Sequence, residues 1–239
     1  MGLTDPGEKS SADDHARRVR DMFARISPSY DRLNHLLSAN ADKRWRRVVV
    51  EKLRPLLPAH AQVLDVACGT GDLSIALFES IGARVVGVDF CRPMLELAAK
   101  KNPQLSFVEG DALQLPFDAA AFDAVTIGFG LRNLSNVERG LNELLRVLKP
   151  KGWAAILEFS KPVLPGFRSL AAVYCTRLLP RIGGMISGSR SAYQYLPDSV
   201  SLFPNQETLA AMMADAGFAE VAFQNLTGGI AALHTGRRQ

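Results

Sequence analysis

The order of short apolar runs and amphipathic runs predicts an α/β protein: a doubly wound, mostly parallel sheet with helices on both faces. Three observations carry the prediction. From residue 62 onward, β-branched and aromatic runs alternate with helical stretches. The first run ends in an acid and a two-glycine turn, "LDVACGTG". The chain closes with two runs joined at Thr227-Gly228-Gly229, which reads as an antiparallel hairpin.

Residues 1–12 are polar, with Pro, Gly and Ser, and read as a disordered tail. Residues 13–239 read as a single domain that opens with a helical cap, 13–60. In "HARRVRDMFARI", Val19, Met22, Phe23 and Ile26 recur at helical spacing. Ser27-Pro28 reads as an N-cap with proline at the first helical position. "SYDRLNHLLS" and "DKRWRRVVVEKL" supply two more helices, the last closed by Pro55 and Pro58. The strands follow as "QVLDVA", "ARVVGVDF", "LSFVEGD", "FDAVTIGFG" and "WAAILEFS", with helices "DLSIALFES", "PMLELAAKK" and "VERGLNELLRVLK" between them. Residues 161–203 interrupt the alternation as an insertion. It is apolar, with Lys161, Arg168, Arg177, Arg181 and Arg190 against the single acid Asp198. Then "NQETLAAMMADAG" is a helix stopped by Gly217.

A length of 239 residues with 47% apolar side chains is enough for one substantial core. No apolar run is long enough to span a bilayer, and the polar start lacks the apolar core of a secretory signal. Pro6 stands where a myristoylation motif wants Ser or Thr. Cys68, Cys91 and Cys175 are far apart, with no zinc-like spacing, so a reduced, cytoplasmic protein without a metal is expected. The net charge of +4 fits either a solvated basic surface or contact with an anionic membrane face. No nucleic-acid partner is expected; a homodimer is left open.

The glycine turn, Gly69-Thr70-Gly71-Asp72-Leu73-Ser74, departs from a dinucleotide fingerprint. Its third glycine is Ser74, and Asp72 would repel a pyrophosphate that wants bare backbone N–H groups. Such a turn suits a nucleoside ligand with a cationic amino group. Asp89, ending the second strand, can accept both hydroxyls of a ribose. Asp111, after the third strand, can accept from the exocyclic amine of an adenine.

Asp65, Gly69, Gly71, Asp89 and Gly110-Asp111-Ala112 together resemble class I S-adenosylmethionine-dependent methyltransferases. "MFARISPSYDRLNHLLS", "FGLRN", "RVLKPKGWAAILEFSKP" and "YQYLPDSVSLFP" resemble one branch more closely, the demethylmenaquinone and ubiquinone-pathway C-methyltransferases. The resemblance covers about residues 20 to 235. It implies a Rossmann-like fold and methyl transfer from S-adenosyl-L-methionine to a ring carbon of a polyprenylated hydroquinone, most closely demethylmenaquinol to menaquinol. S-adenosyl-L-homocysteine would be the other product. A ubiquinone-pathway benzoquinol is the alternative acceptor. Two departures stand out: Gly128 replaces a serine of some relatives, and "KPKGW" replaces the commoner "KPGG" turn.

The cofactor set is Asp65, Gly69, Thr70, Gly71, Asp89, Phe90, Asp111, Ala112 and Gly128. Asp65 would order the loop by accepting backbone N–H bonds, and Phe90 would stack on adenine or simply pack. Arg132, at the end of a sheet strand, is expected to stabilise a quinolate. Because guanidinium does not give up its proton, a water held by Arg132, or His35 or Asp31, would take the phenolic proton. Tyr30 and Asn133 would touch the substrate. Tyr193 and Tyr195, on one side of an extended segment, would do so or merely pack. The 161–203 insertion would house the isoprenoid tail or complete the core, and a membrane-dissolved acceptor would bring the protein to the inner membrane face. Two competing classes are an NAD-dependent oxidoreductase and a non-catalytic scaffold that binds S-adenosylmethionine.

Overall fold

A computed structural model of the protein describes residues 6–163 and 190–239. Seven strands form one sheet in the order β3-β2-β1-β4-β5-β7-β6. They are β1 (Gln62–Val66), β2 (Arg84–Asp89), β3 (Ser106–Glu109), β4 (Phe122–Gly128), β5 (Leu148–Phe159), β6 (Phe218–Leu226) and β7 (Ala231–Arg238). The first five pair in parallel, and β7 pairs antiparallel with both β5 and β6. The chain leaves β1 in one direction for β2 and β3, then returns to β4 on the other side. That switch opens a crevice at the carboxyl ends of β1 and β4, where open α/β sheets bind ligands.

Two layers of helices bury the sheet. On one face lie α3 (Ala41–Leu53) and α4 (Asp72–Ile81), which contribute Trp45, Val49, Val50, Leu53, Leu73 and Leu77. On the other lie α6 (Val137–Val147) and α8 (Gln206–Asp215), contributing Leu141, Leu144, Val147, Leu209 and Met213. Each such side chain stabilises the fold by about 1.5–3 kcal/mol relative to exposure. The Asn136 side chain caps α6 by accepting from the Arg139 N–H at 2.8 Å, and Asn205 caps α8 in the same way through Thr208. Gly217, with φ of +104°, turns the chain out of α8 into β6 as expected. Helix α5 (Arg92–Lys101) follows β2, and α7 (Arg190–Leu202) precedes α8.

The N-terminal cap departs from expectation in two ways. Helix α1 (Pro6–Ile26) already includes residues 6–12, which were read as part of a disordered tail; a proline is tolerated in the first turn because its missing N–H has no helical partner there. Residues 1–5 lie outside the described residues. Val19, Met22 and Ile26 are buried, so the helical spacing did mark an inward face. Ser27 does not cap α2 (Tyr30–Leu37): it sits in a 3-10 turn, Ser27–Ser29, and its hydroxyl donates back to the Ala24 carbonyl at 3.0 Å. The segment read as extended "YQY" is helical, within α7, so the two-residue period that put Tyr193 and Tyr195 on one side does not apply. Most of the 161–203 insertion, residues 164–189, lies outside the described residues, as does Cys175.

Candidate active site

The crevice holds a cavity of about 1090 Å³. Its walls come from α1 (His15, Arg20, Phe23), from Tyr30, and from the ends of β1, β2, β3 and β4.

The loop after β1 is shaped by backbone geometry. Gly71 has φ of +80°, and a Cβ there would sit 3.0 Å from the Ala98 methyl and 3.1 Å from the Phe107 ring. Gly69 (φ +55°) faces open space and lines the cavity, so a ligand can approach its backbone closely. Its N–H donates to Asp89 Oδ2 at 2.8 Å, while the Cys91 N–H donates to Asp89 Oδ1 at 2.8 Å. Asp89 is thereby aimed from the end of β2, and burial pushes its carboxyl up from the ordinary range. Asp111, which lines the cavity, accepts the Leu113 N–H on Oδ1 at 2.8 Å, a bond that leaves Oδ2 free. Phe90, Ala112 and Gly128 also line the cavity. A Cβ on Gly128 would meet only Leu73 Cδ2, at 3.4 Å, so a serine would fit there.

Three expected cofactor residues act from outside the cavity. Asp65 accepts hydroxyl bonds from Ser74 (2.6 Å) and Thr126 (2.7 Å) and fastens α4 to the sheet, so its main partners are side chains rather than loop amides. Burial pushes its carboxyl up to about 6, against the opposing pull of those two hydroxyls. Gly71 supplies the turn. Thr70 donates to Asp31 at 2.5 Å and receives Lys101 at 3.0 Å.

Asp31 and His35 do not line the cavity, contrary to their expected part in proton transfer. Asp31 is paired with Lys101 at 2.6 Å. His35 binds Asp42 through Nδ1 at 2.7 Å and lies 3.9 Å from Asp72. Arg46 bridges the same two acids at 2.9 and 3.2 Å, and Lys101 reaches Asp72 at 2.7 Å. Two cations thus occupy the carboxylates of this cluster, which ties the cap to the start of α4. Asp72 was expected to repel a phosphate, but its charge is spent on Arg46 and Lys101 outside the cavity.

Arg132 follows β4 in a short 3-10 turn, Leu131–Asn133. Its Nη1 pairs with Glu158 Oε1 at 2.7 Å, and Glu158 Oε2 accepts its backbone N–H at 3.2 Å. The guanidinium lies 5.2 Å above the Phe159 ring, and Nε is buried without a partner. Phe129, with φ of +59°, takes a strained conformation at the cavity wall. Tyr30 lines the cavity; burial pushes its phenol up, opposed chiefly by the Arg132 charge. Asn133 is held by Tyr195, whose hydroxyl donates to Oδ1 at 3.1 Å, so Tyr195 supports the wall. The Tyr193 side chain lies outside the described residues.

Sequence reasoning missed Glu158, Phe129, His15 and Arg139. Glu158 stood inside the quoted "LEFSKP" segment, and a lone acid in an otherwise apolar strand was its signal. His15 had no signal beyond its place on an amphipathic helix.

The cavity fits S-adenosylmethionine: Gly69 leaves its backbone bare, Asp89 presents an oriented carboxylate, and Asp111 has a free oxygen. Acids at the ends of two adjacent parallel strands, beside an open glycine loop, define a class I S-adenosylmethionine-dependent methyltransferase. Solved structures share the fold. One is an S-adenosylmethionine-dependent methyltransferase of Thermotoga maritima, described as a possible histamine N-methyltransferase. It has a TM-score of 0.67 at 18% identity, over 92% of this chain and 99% of that one. Phosphoethanolamine N-methyltransferase 2 of Haemonchus contortus, in complex with S-adenosyl-L-methionine, gives a TM-score of 0.58 at 14% identity, over 80% and 51%.

The chain belongs to the ubiE/COQ5 methyltransferase family, which matches residues 10–238. A demethylmenaquinone methyltransferase of Thermus thermophilus is 50% identical over 222 residues, 91% of this chain and 100% of the relative. A protein of Citrifermentans bemidjiense named ubiquinone/menaquinone biosynthesis C-methyltransferase UbiE is 44% identical over 229 residues, 92% and 96%.

Proposed function

We propose that the chain methylates a ring carbon of a polyprenylated hydroquinone, converting demethylmenaquinol to menaquinol at the expense of S-adenosylmethionine. The observation that carries the reading is Arg132. Arg132 lines the cavity, and its positive charge is held there by Glu158 where an acceptor oxygen can lie. Asp89 and Asp111, the groups for ribose and adenine, belong to other strands of the same wall.

When bound, S-adenosylmethionine supplies an electrophilic methyl group. The protein must then align the acceptor and make its ring carbon nucleophilic. A phenol titrates near 10, so a cation beside its oxygen favours the quinolate at neutral pH. Arg132 meets that need and keeps its own protons. Glu158 holds the guanidinium in place and Phe159 lies beneath it. Phe129, Phe23 and Tyr30 supply an apolar and aromatic wall suited to a naphthoquinol ring.

An isoprenoid tail keeps the acceptor in a bilayer, so the protein would work at the membrane surface. Val163 and Leu202, exposed on either side of 164–189, support that placement. No helix among the described residues is long and apolar enough to cross a membrane.

The test is anaerobic label transfer from S-adenosylmethionine to detergent-dispersed demethylmenaquinone, with and without a chemical reductant. Label should enter the reduced form alone, because an oxidised quinone is itself electrophilic. Equal labelling of the oxidised form would overturn the quinolate mechanism. A parallel arm with a ubiquinone-pathway benzoquinol addresses the second reading, which draws on the double name of the Citrifermentans relative.

A further inference from the structure

We propose that His15 of α1 is the base that takes the acceptor's hydroxyl proton, an inference that rests on the quinol-methylating reading above. The imidazole lines the cavity, and its Nε2 lies 3.2 Å from the backbone carbonyl of Asn133, the residue after Arg132. A carbonyl only accepts, so Nε2 carries the hydrogen and Nδ1 is left with a free lone pair. The contact holds the ring as well: Asn133 is anchored by the Tyr195 hydroxyl on its Oδ1 and by its own Nδ2 reaching the Phe129 carbonyl at 3.3 Å.

The other titratable or charged groups on the described walls are Arg20, Tyr30, Asp89, Asp111, Arg132 and Arg139. The three arginines stay protonated. Tyr30 is itself a phenol and gains nothing by exchanging with another. Asp89 and Asp111 are the carboxylates assigned to the ribose and adenine of the methyl donor, and they also accept from the Gly69, Cys91 and Leu113 amides. Asp31 is paired with Lys101, and His35 is hydrogen-bonded to Asp42, both outside the cavity. Beside His15 on the helix, Asp14 is paired with Arg17 at 3.3 Å. Histidine is the side chain most often used as a general base, which leaves His15, with its free Nδ1 lone pair, as the described wall residue suited to the task.

The step balances as follows. The hydroxyl O–H bond breaks, its proton passes to Nδ1, and its electron pair moves into the ring beside Arg132. The ring carbon–methyl bond forms as the methyl–sulfur bond breaks, and that electron pair stays on sulfur. The ring carbon's hydrogen then leaves as a proton and its bonding pair restores the aromatic ring. The imidazolium returns its proton to the oxygen, for a net release of one proton.

The experiment compares wild type, His15→Gln and His15→Ala in anaerobic turnover of demethylmenaquinol between pH 5.5 and 9.5. Calorimetric binding of S-adenosylhomocysteine is measured in parallel. His15→Gln should lower kcat at pH 7 by about 10²–10⁴-fold, the range for a lost general base, with S-adenosylhomocysteine affinity little changed. The wild-type acid limb should vanish, and the deficit should narrow about tenfold per pH unit toward the phenol's own ionisation. Added imidazole should partly restore His15→Ala. Turnover within about threefold of wild type at pH 7, or an acid limb that survives in His15→Gln, would overturn the proposal. Absence of product with the wild-type protein would instead overturn the quinol-methylating reading.

Discussion

Replacing Glu158 by Gln removes a charge from the best-buried ion pair among the described residues while keeping its shape. The side chains of Glu158 and Arg132 are 1% and 7% exposed, with Nη1 and Oε1 2.7 Å apart. At an effective dielectric of 20 and charge centres about 4 Å apart, the direct attraction is about 4 kcal/mol. Desolvation offsets much of this in the intact pair, but removing one partner strands the other. Glu158 Oε1 accepts from Arg132 Nη1 and from the Phe159 N–H at 2.8 Å, while Oε2 accepts the Arg132 N–H. A glutamine turns its NH₂ against a donor in either orientation. Breaking a buried pair in this way costs about 3–5 kcal/mol, and the retained amide oxygen argues for the lower end, about 3 kcal/mol. Urea unfolding should therefore show a lower midpoint at unchanged slope. The double variant Glu158→Leu/Arg132→Met should be less destabilised than the sum of its single changes, because both charges leave together. A loss below about 1 kcal/mol in Glu158→Gln, or strict additivity in the cycle, would refute the view that Glu158 holds the guanidinium.

Three further outcomes are expected. Asp89→Ala should weaken S-adenosylmethionine binding by about 1.5–3 kcal/mol in calorimetry; a folded variant with unchanged affinity would remove Asp89 from the site. Asp65 has a carboxyl pushed up to about 6, above the ordinary 3.8, so the native state holds the proton more tightly and ionisation opposes folding. That cost is absent below about pH 4, grows as pH rises through 6, and reaches about 3 kcal/mol at pH 7. Asp65→Asn should accordingly gain stability relative to wild type between pH 4 and 7 in urea titrations, and a difference independent of pH would contradict it. Lys151 is exposed with φ of +67° in the irregular start of β5, next to Gly152. Lys151→Gly should therefore raise stability by about 0.5–1 kcal/mol, and a lowered denaturation midpoint would show that the turn is unstrained.

The doubly wound sheet was legible because parallel strands buried on both faces need long apolar runs. Helices covering them need apolar residues at 3.6-residue spacing, and both patterns are local. The turns at Gly217 and Thr227-Gly228-Gly229 were legible because positive φ demands particular residues. Gly69, Asp89, Asp111 and Arg132 could be named as site residues because they stand at strand ends, where this topology gathers ligands. Tertiary structure alone decided which polar side chains share a dielectric environment. His35 and Asp31 looked like bases on a cap helix, yet Asp42 takes the imidazole into a hydrogen bond and Lys101 takes the carboxylate into an ion pair, both outside the cavity. Glu158 gained its importance only when β5 came to lie beside β4 and set a carboxylate against Arg132. His15 entered the site only because α1 folds back over the end of β4, 118 residues away along the chain. A periodic pattern reports which face of an element is buried; a charge's partner is set by packing between elements, and no local run of residues encodes it.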